Sequence, residues 1–504
     1  MDYYRSAPED PSLLTATVLG SVLLALAFFI AWLWVEWRPS AWKVALGRCG
    51  FLLVLLYPLE SVREYWNTEG QRNDLGTNIA LLSIEAVLAA GVVMTLTGNL
   101  RVVRAARRIS LTLTLLFPSL LLDFTWSRMT AEPAAAFEPR TPAKPVVSRA
   151  AGRRVVWLLF DELDQRLVFD LKEPKVDLPE LDRLRSESFV ATQAEQTAGW
   201  TTLAVPSLLS GRIFERAELM DASTLAVLPE GEKSAVSWRD EPNVFKRART
   251  EGFNSALVGW HHPYCRVLGD ELVKCVEVPS GETTAALLRE TSASEMGALR
   301  TLPFLFRLQR VNLEDMFRSG RPTTAAERDE YSQARQQQQY FQIRDATYAA
   351  AADRGIDLLF AHFPAPHFFG IYNSRRRDFT LTPTLSYVDN LALVDRTVRE
   401  LRCVLERAGL WDSTTVILTS DHGLRPDLWR GHLGWTEELD RLTGGVQTPL
   451  VPCIIKPAGK HQGIVYERPF STVVEGDLVL GALRGELATP EAMAAWLDRH
   501  AANP

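Results

Sequence analysis

The sequence predicts an α/β domain with a mostly parallel, helix-flanked sheet, preceded by a membrane domain of about four helices. Three observations predict it. Long apolar runs are confined to the first 126 residues. From Arg154 onward, short apolar runs alternate with amphipathic stretches. Acidic residues and histidines recur just after those short runs. A chain of 504 residues exceeds one ordinary core, so two or more domains are expected. The net charge of -6, with no basic stripe, argues against nucleic acid as a partner. Five cysteines are too few for a disulfide-stapled scaffold.

The membrane domain is expected over residues 1–126. Pro11 to Val35 contains no charged residue and is long enough to span a bilayer. Three further spans are expected at about Ala41–Val62, Thr77–Thr97 and Ile109–Trp126. The length of the first run, and the runs that follow it, argue against a cleaved signal peptide. Arg38, Lys43 and Arg48 cluster between the first two runs, and Arg101, Arg104, Arg107 and Arg108 between the last two. The positive-inside rule puts both basic loops in the cytoplasm and everything after Trp126 outside it. This places a multi-pass protein in the cytoplasmic (inner) membrane, with its large domain on the periplasmic or extracytoplasmic side. Glu85, within the third run, reads as a neutral carboxyl bonded to a neighbouring helix or to Arg48, ahead of a functional role. Residues 127–153 shift to Pro, Ala and scattered charge, the composition of a linker.

Residues 154–504 read as the soluble domain. Strands are expected at Val155–Phe160, Ser255–Val258, Asp357–Phe360, Thr415–Thr419 and Leu450–Ile455, and helices at Leu178–Arg185, Val244–Thr250 and Tyr387–Ala408. Short buried strands alternating with helices make a mostly parallel sheet. The stretch from Thr284 to Arg344 is helical in character, with a charged, Gln-rich surface at Gln336–Gln339. Within it, Leu302–Leu308 suits either a buried helix or one lying on a membrane surface. Cys265 and Cys275 flank a short polar stretch and are either a disulfide or two free thiols.

Open α/β sheets bind ligands at the carboxyl ends of their strands. There the sequence places Asp161 and Glu162, His261 and His262, His362 and His367, and Asp421 and His422. Six of the eight histidines lie in these motifs or in Gly431-His432, a pattern that scatter does not produce. Carboxylates and neutral imidazoles converging at strand ends form a transition-metal site.

These residues also carry a resemblance. Asp161-Glu162 in VVWLLFDELD resembles the first metal-ligand motif of the alkaline phosphatase and sulfatase superfamily, and ILTSDHG (Ile417–Gly423) resembles its later Asp-His motif. TAGWTTLAVPSLLSGR (Thr197–Arg212) is similar to its nucleophile segment. HFPAPHFF (His362–Phe369) and Gly431-His432 resemble accessory histidine motifs of its membrane-bound transferases. The membrane part is similar in kind to that of phosphoethanolamine transferases and lipoteichoic acid synthases. The common sulfatases need a Cys/Ser-x-Pro-x-Arg motif, which is missing between Thr197 and Arg212. Phosphoethanolamine transferases carry a Thr five residues before the Pro of a Val-Pro pair. That position is Thr201, ahead of Val205-Pro206.

The resemblance implies a nucleophile at Thr201, with Thr202 adjacent to it. Asp161, Thr201, Asp421 and His422 would hold a divalent metal, with Glu162 as an alternative or supporting ligand. His367 and His432 would bind phosphate or a second metal, or protonate the leaving group. His262 would contact substrate, although the Lys that accompanies the family's Trp-His pair is missing. His362 reads as structural, and a helix N-cap is the bland reading of Thr201. Zn2+ suits an Asp/Asp/His/Thr set best and Mn2+ second; Ca2+ prefers all-oxygen shells. The expected reaction moves a phosphorus-containing headgroup from a membrane lipid donor to an extracytoplasmic acceptor. Hydrolysis of a phosphate or sulfate ester, and an inactive scaffold, are the alternatives.

Overall fold

The computed structural model describes residues 134–170, 177–279, 325–382, 384–430 and 434–500. The expected membrane spans, Glu85, Leu302–Leu308 and His432 lie outside the described residues. Among the described residues no helix is long and apolar enough to cross a membrane.

Eight strands form one sheet: β1 (Arg154–Phe160), β2 (Phe189–Ala191), β3 (Ser255–His261), β4 (Lys274–Pro279), β5 (Leu358–Phe363), β6 (Thr414–Thr419), β7 (Cys453–Lys456) and β8 (Ile464–Tyr466). Their order across the sheet is β8-β2-β7-β6-β1-β5-β3-β4. Neighbours are parallel except for β7, which runs antiparallel to both β6 and β2. The sheet is therefore mostly parallel, as the alternation of runs implies, with one reversed strand that the alternation does not reveal.

Every residue of β1 is buried, which is what a central strand covered on both faces requires. Its side chains divide with a period of two. Val156, Leu158 and Phe160 join one core with Leu181, Tyr340, Val394 and Leu401. Val155, Trp157 and Leu159 join a second core with Val205, Leu208, Phe245, Leu478 and Leu497. The first core is closed by α1 (Pro179–Ser186), α4 (Ala325–Ala351) and α5 (Tyr387–Arg407). The second is closed by α2 (Thr201–Ser210), α3 (Val244–Thr250), α6 (Glu475–Arg484) and α7 (Pro490–His500).

The helices begin where their sequences allow. Asn243 Oδ1 accepts from the backbone N–H groups of Phe245 and Lys246, capping α3. Ser386 and Asp389 form a reciprocal capping box at the start of α5. Residues 138–149 run without regular structure, tied to the domain through Arg140 N to Cys265 O and Ala143 N to Leu272 O. Cys265 and Cys275 are disulfide-bonded. Cys403 and Cys453 are free.

Two expectations are corrected. Strand β5 extends through Phe363, so His362 lies inside a strand and not after it. The glutamines of α4 are not a uniform surface run. Gln333, Gln336 and Gln339 recur every three residues along one buried face. Gln336 Nε2 donates to the carbonyls of Pro364 and His367, and Gln333 Nε2 to those of Gly370 and Thr382. These two amides hold the loop that carries His367.

Candidate active site

Asp161 leaves the end of β1, and Asp421 and His422 leave the end of β6, its parallel neighbour. Ligand atoms of all three lie within 4.8 Å of one another, and all three residues are buried. The turn that presents them is cross-braced. Ser420 Oγ donates to Phe160 O and accepts from Leu163 N, while Asp421 Oδ1 accepts from Glu162 N and His422 N. Tyr387 Oη donates to Glu162 O and accepts from Asp164 N. That support holds Glu162 at φ +65°, a conformation that a non-glycine residue adopts at a cost.

The donor set fits a divalent cation. Among the described residues, Asp161 Oδ1 and Asp421 Oδ2 are buried with no hydrogen-bond partner, an arrangement that costs free energy unless a cation satisfies them. Burial, then the Asp421 and Glu162 carboxylates, push the Asp161 carboxyl well above its usual range. His422 Nδ1 lies 3.0 Å from Gly423 O. A carbonyl only accepts, so Nδ1 carries the proton and the Nε2 lone pair faces the carboxylates. Nε2 is 3.3 Å from Asp421 Oδ2 and 3.6 Å from Asp161 Oδ1. Two carboxylate oxygens and one imidazole nitrogen suit Zn2+ or Mn2+.

Thr201 is the first residue of α2, directly after its N-cap residue Trp200, whose side chain makes no capping bond. The capping reading of Thr201 is therefore displaced by one residue. Thr201 Oγ1 lies 3.1 Å from His422 Nε2 and 3.5 Å from Asp161 Oδ2. The four residues that the motifs single out thus meet at one point, at the N-terminal end of a ten-residue helix.

Glu162 stands outside this group. Its Oε1 accepts from Arg425 Nε at 2.6 Å and its Oε2 from Trp429 Nε1 at 3.1 Å, so both oxygens are committed. Burial opposes its charge, but His367 and the Arg425 guanidinium outweigh that and hold the carboxyl below its usual range. Arg425 Nη2 is 3.2 Å from His367 Nε2, and its guanidinium carbon lies 4.9 Å from the centre of the Trp200 ring. A guanidinium only donates, so His367 Nε2 accepts, and Nδ1 donates to Phe368 O. Burial lowers the His367 pKa to about 4, leaving a neutral ring that orients Arg425.

The paired histidines face different ways. His262 is buried, its Nε2 3.2 Å from Thr201 O, and its ring packs on Trp238. In this position it supports the backbone of Thr201. His261, at φ +73°, turns towards the site, with its Nε2 3.2 Å from Thr202 Oγ1. His362, expected to be structural, is fully buried within β5, its Nε2 4.0 Å from Asp161 Oδ2. Its Nε2 faces Trp260 Nε1 and its Nδ1 faces Tyr264 Oη at 2.8 Å. His461 bonds to Ala458 O and His500 to Trp496 O, both away from these groups.

Arg425, Gln196 and Gln447 have no place in the sequence expectation, where His261 stands only as a strand-end residue without a role. Gln196 Oε1 accepts from Gly423 N, and Gln447 Nε2 donates to both Gly199 O and Gly423 O. This brace joins the segment before Thr201 to the Asp-His-Gly turn. A signal for Arg425 does exist in the sequence, since it stands three residues after His422.

A family model described as type I phosphodiesterase / nucleotide pyrophosphatase matches residues 155–428. No curated protein matches the chain. Among solved structures, Ps i-CgsB is 16% identical, with 66% of this chain and 72% of that chain covered and a TM-score of 0.42. The PsFucS1 sulfatase from Pseudoalteromonas sp. is 18% identical, with coverage of 66% and 67% and a TM-score of 0.40. The lipoteichoic acid synthase LtaP from Listeria monocytogenes is 13% identical, with coverage of 67% and 75% and a TM-score of 0.38. Likenesses at this level carry no argument about the reaction.

Proposed function

The chain belongs to the type I phosphodiesterase / nucleotide pyrophosphatase family of the alkaline phosphatase superfamily, and from that premise we propose a metal-dependent enzyme that attacks a phosphoester through Thr201. One observation carries the reading. Thr201 Oγ1, His422 Nε2 and the unpartnered oxygens of Asp161 and Asp421 converge in a buried pocket at a helix N-terminus.

Asp161, Asp421 and His422 would hold the cation, with Thr201 Oγ1 beside them. A cation there lowers the pKa of an adjacent hydroxyl and stabilises charge on the transferring group. Thr201 Oγ1 forms a bond to phosphorus as the bond to the leaving oxygen breaks. The hydroxyl proton is lost and the leaving oxygen gains one. An acceptor oxygen then attacks the phosphothreonine and restores the hydroxyl. The N-terminal end of α2 favours the negative group throughout.

Two acceptors are consistent with this first step. The apolar runs of residues 1–126 support a membrane-anchored transferase that takes a phosphorus-containing headgroup from a lipid and passes it to an extracytoplasmic acceptor. The diesterase description of the family supports water as the acceptor. With a labelled lipid, free headgroup identifies the hydrolase and modified acceptor the transferase.

The mechanism is tested by metal analysis and phosphodiester turnover on wild type, Thr201→Ala and Asp421→Ala. We expect stoichiometric zinc or manganese in wild type, its loss in Asp421→Ala, and loss of turnover in both variants. A wild type that binds no metal and turns nothing over would leave the scaffold reading in its place.

A further inference from the structure

We propose that Arg425 is the anion-binding residue of this site, its guanidinium receiving a non-bridging oxygen of the group that Thr201 attacks. The inference rests on the reading of Thr201 given above, and four observations support it.

Arg425 is a partly buried cation, its side chain 11% exposed, and among the described residues its one ion-pair partner is the fully buried Glu162. Glu162 engages Nε, and His367 accepts from Nη2. Among the described residues Nη1 donates to no protein atom. The Nη1 donors, with the Nη2 hydrogen that His367 leaves, are therefore available to the oxygens of a phosphoryl or sulfuryl group.

The guanidinium is held in place on its other sides as well. Trp200 lies against its face, and that tryptophan precedes Thr201 directly in the chain. Trp200 is 60% exposed, so the stack stands where the buried pocket meets solvent.

Both ends of the arrangement point to an anion. The N-cap side chain of α2 satisfies none of the helix's first N–H groups. The Asp161 and Asp421 carboxylates call for a cation, which in turn attracts a phosphoryl oxygen. Arg425 adds a fixed positive charge, and its field reaches both Asp161 and Asp421. Glu162, His367 and Trp429 then have a shared purpose: they fix the orientation of the arginine. This explains why a glutamate next to a metal-binding aspartate turns away from the metal position.

The test uses the full chain in detergent, loaded with zinc and freed of excess metal, with inorganic phosphate as the probe. Thr201→Ala serves as the background, so that no covalent chemistry takes part. Calorimetric titration should show phosphate binding that weakens about 10- to 100-fold in Arg425→Met, the range for a lost charge-assisted pair. Zinc content should be unchanged. Removing Arg425 strands the buried Glu162, so the double variant Glu162→Gln/Arg425→Met is measured beside it and should show the same loss. Arg425→Lys keeps the charge without the guanidinium and should fall between. In the otherwise wild-type enzyme, Arg425→Lys should raise KM more than it lowers kcat.

Phosphate binding equal to the Thr201→Ala background in either Arg425→Met protein, with zinc retained, overturns the inference. So does a zinc-loaded background that binds no phosphate. Failure of the reading in the previous section looks different, because it appears as missing metal or as turnover that survives Thr201→Ala.

Discussion

Replacing Asp161 with asparagine should make the metal-free protein more stable while abolishing its response to metal. Ligand oxygens of Asp161 and Asp421 lie within 4.8 Å of each other in a buried site. At an effective dielectric of about 20, two unit charges at that separation repel by about 3 kcal/mol. Burial and the neighbouring carboxylates raise the Asp161 pKa well above its unfolded value. A raised carboxyl contributes stability that is complete below the unfolded pKa and is lost as pH rises through the folded pKa. The metal-free wild type therefore weakens with rising pH, and a cation cancels the penalty. Asp161→Asn removes the repulsion at its source. At pH 8 in EDTA its melting temperature should exceed that of wild type by roughly 5 °C, given about 2 °C or more per kcal/mol for a domain of this size. The gain should be smaller at pH 5, because the raised Asp161 carboxyl takes up more of its proton as pH falls. Added zinc should raise the wild-type melting temperature and leave that of Asp161→Asn unmoved. Near-UV circular dichroism melts of the full chain, with and without zinc at both pH values, measure this directly. A metal-free Asp161→Asn protein that melts below wild type at pH 8 would refute the electrostatic account, as would one that zinc still stabilises.

Two further outcomes are expected. Glu475 is buried and accepts from Trp157 Nε1 and Thr419 Oγ1, and burial raises its pKa to about 7. Its contribution to stability is full below about 4.5 and lost as pH rises through about 7, a change of about 3 kcal/mol. Glu475→Gln should therefore flatten the stability profile between those pH values, and chemical denaturation that finds the wild-type slope intact would count against it. A methyl group on Gly423 would sit 2.7 Å from Thr448 O. Gly423→Ala must push apart the turn that positions His422, so zinc affinity should fall about 10- to 100-fold, the usual cost of disturbing a ligand's support, as read by competition with a chromogenic chelator.

The parts of this site that the sequence discloses are those set by strand periodicity. Asp161 and Asp421 each follow a run of buried residues that can only be a central strand, and parallel neighbours deliver their carboxyl ends to one edge. Thr201 was legible only through the resemblance to phosphoethanolamine transferases, whose Thr stands at the same offset from a Val-Pro pair. What depends on distant partners was not legible. Arg425 acquires its place from Glu162, which lies 263 residues earlier, and from His367 and Trp200. His261 and His262 are adjacent in sequence, and only the left-handed backbone at His261 determines which ring meets Thr202 and which lies under Thr201. Strand β7 looks like the other strands in composition, because burial on two faces selects the same side chains whichever way the chain runs.

That reversed strand has a consequence for how the site can change. A parallel strand reaches the active edge with its end, whereas β7 reaches it with its beginning. The approach to β7 therefore crosses ground that an all-parallel sheet would leave bare. It brings Gln447 onto Gly199 and Gly423, and Thr448 O against Gly423. Residues between Trp435 and Val446 belong to no strand of the sheet, so they can lengthen, shorten or change composition with the register of β6 and β7 intact. Variation in what the pocket admits has a route here that leaves the carboxylates, the histidine and the threonine where they are.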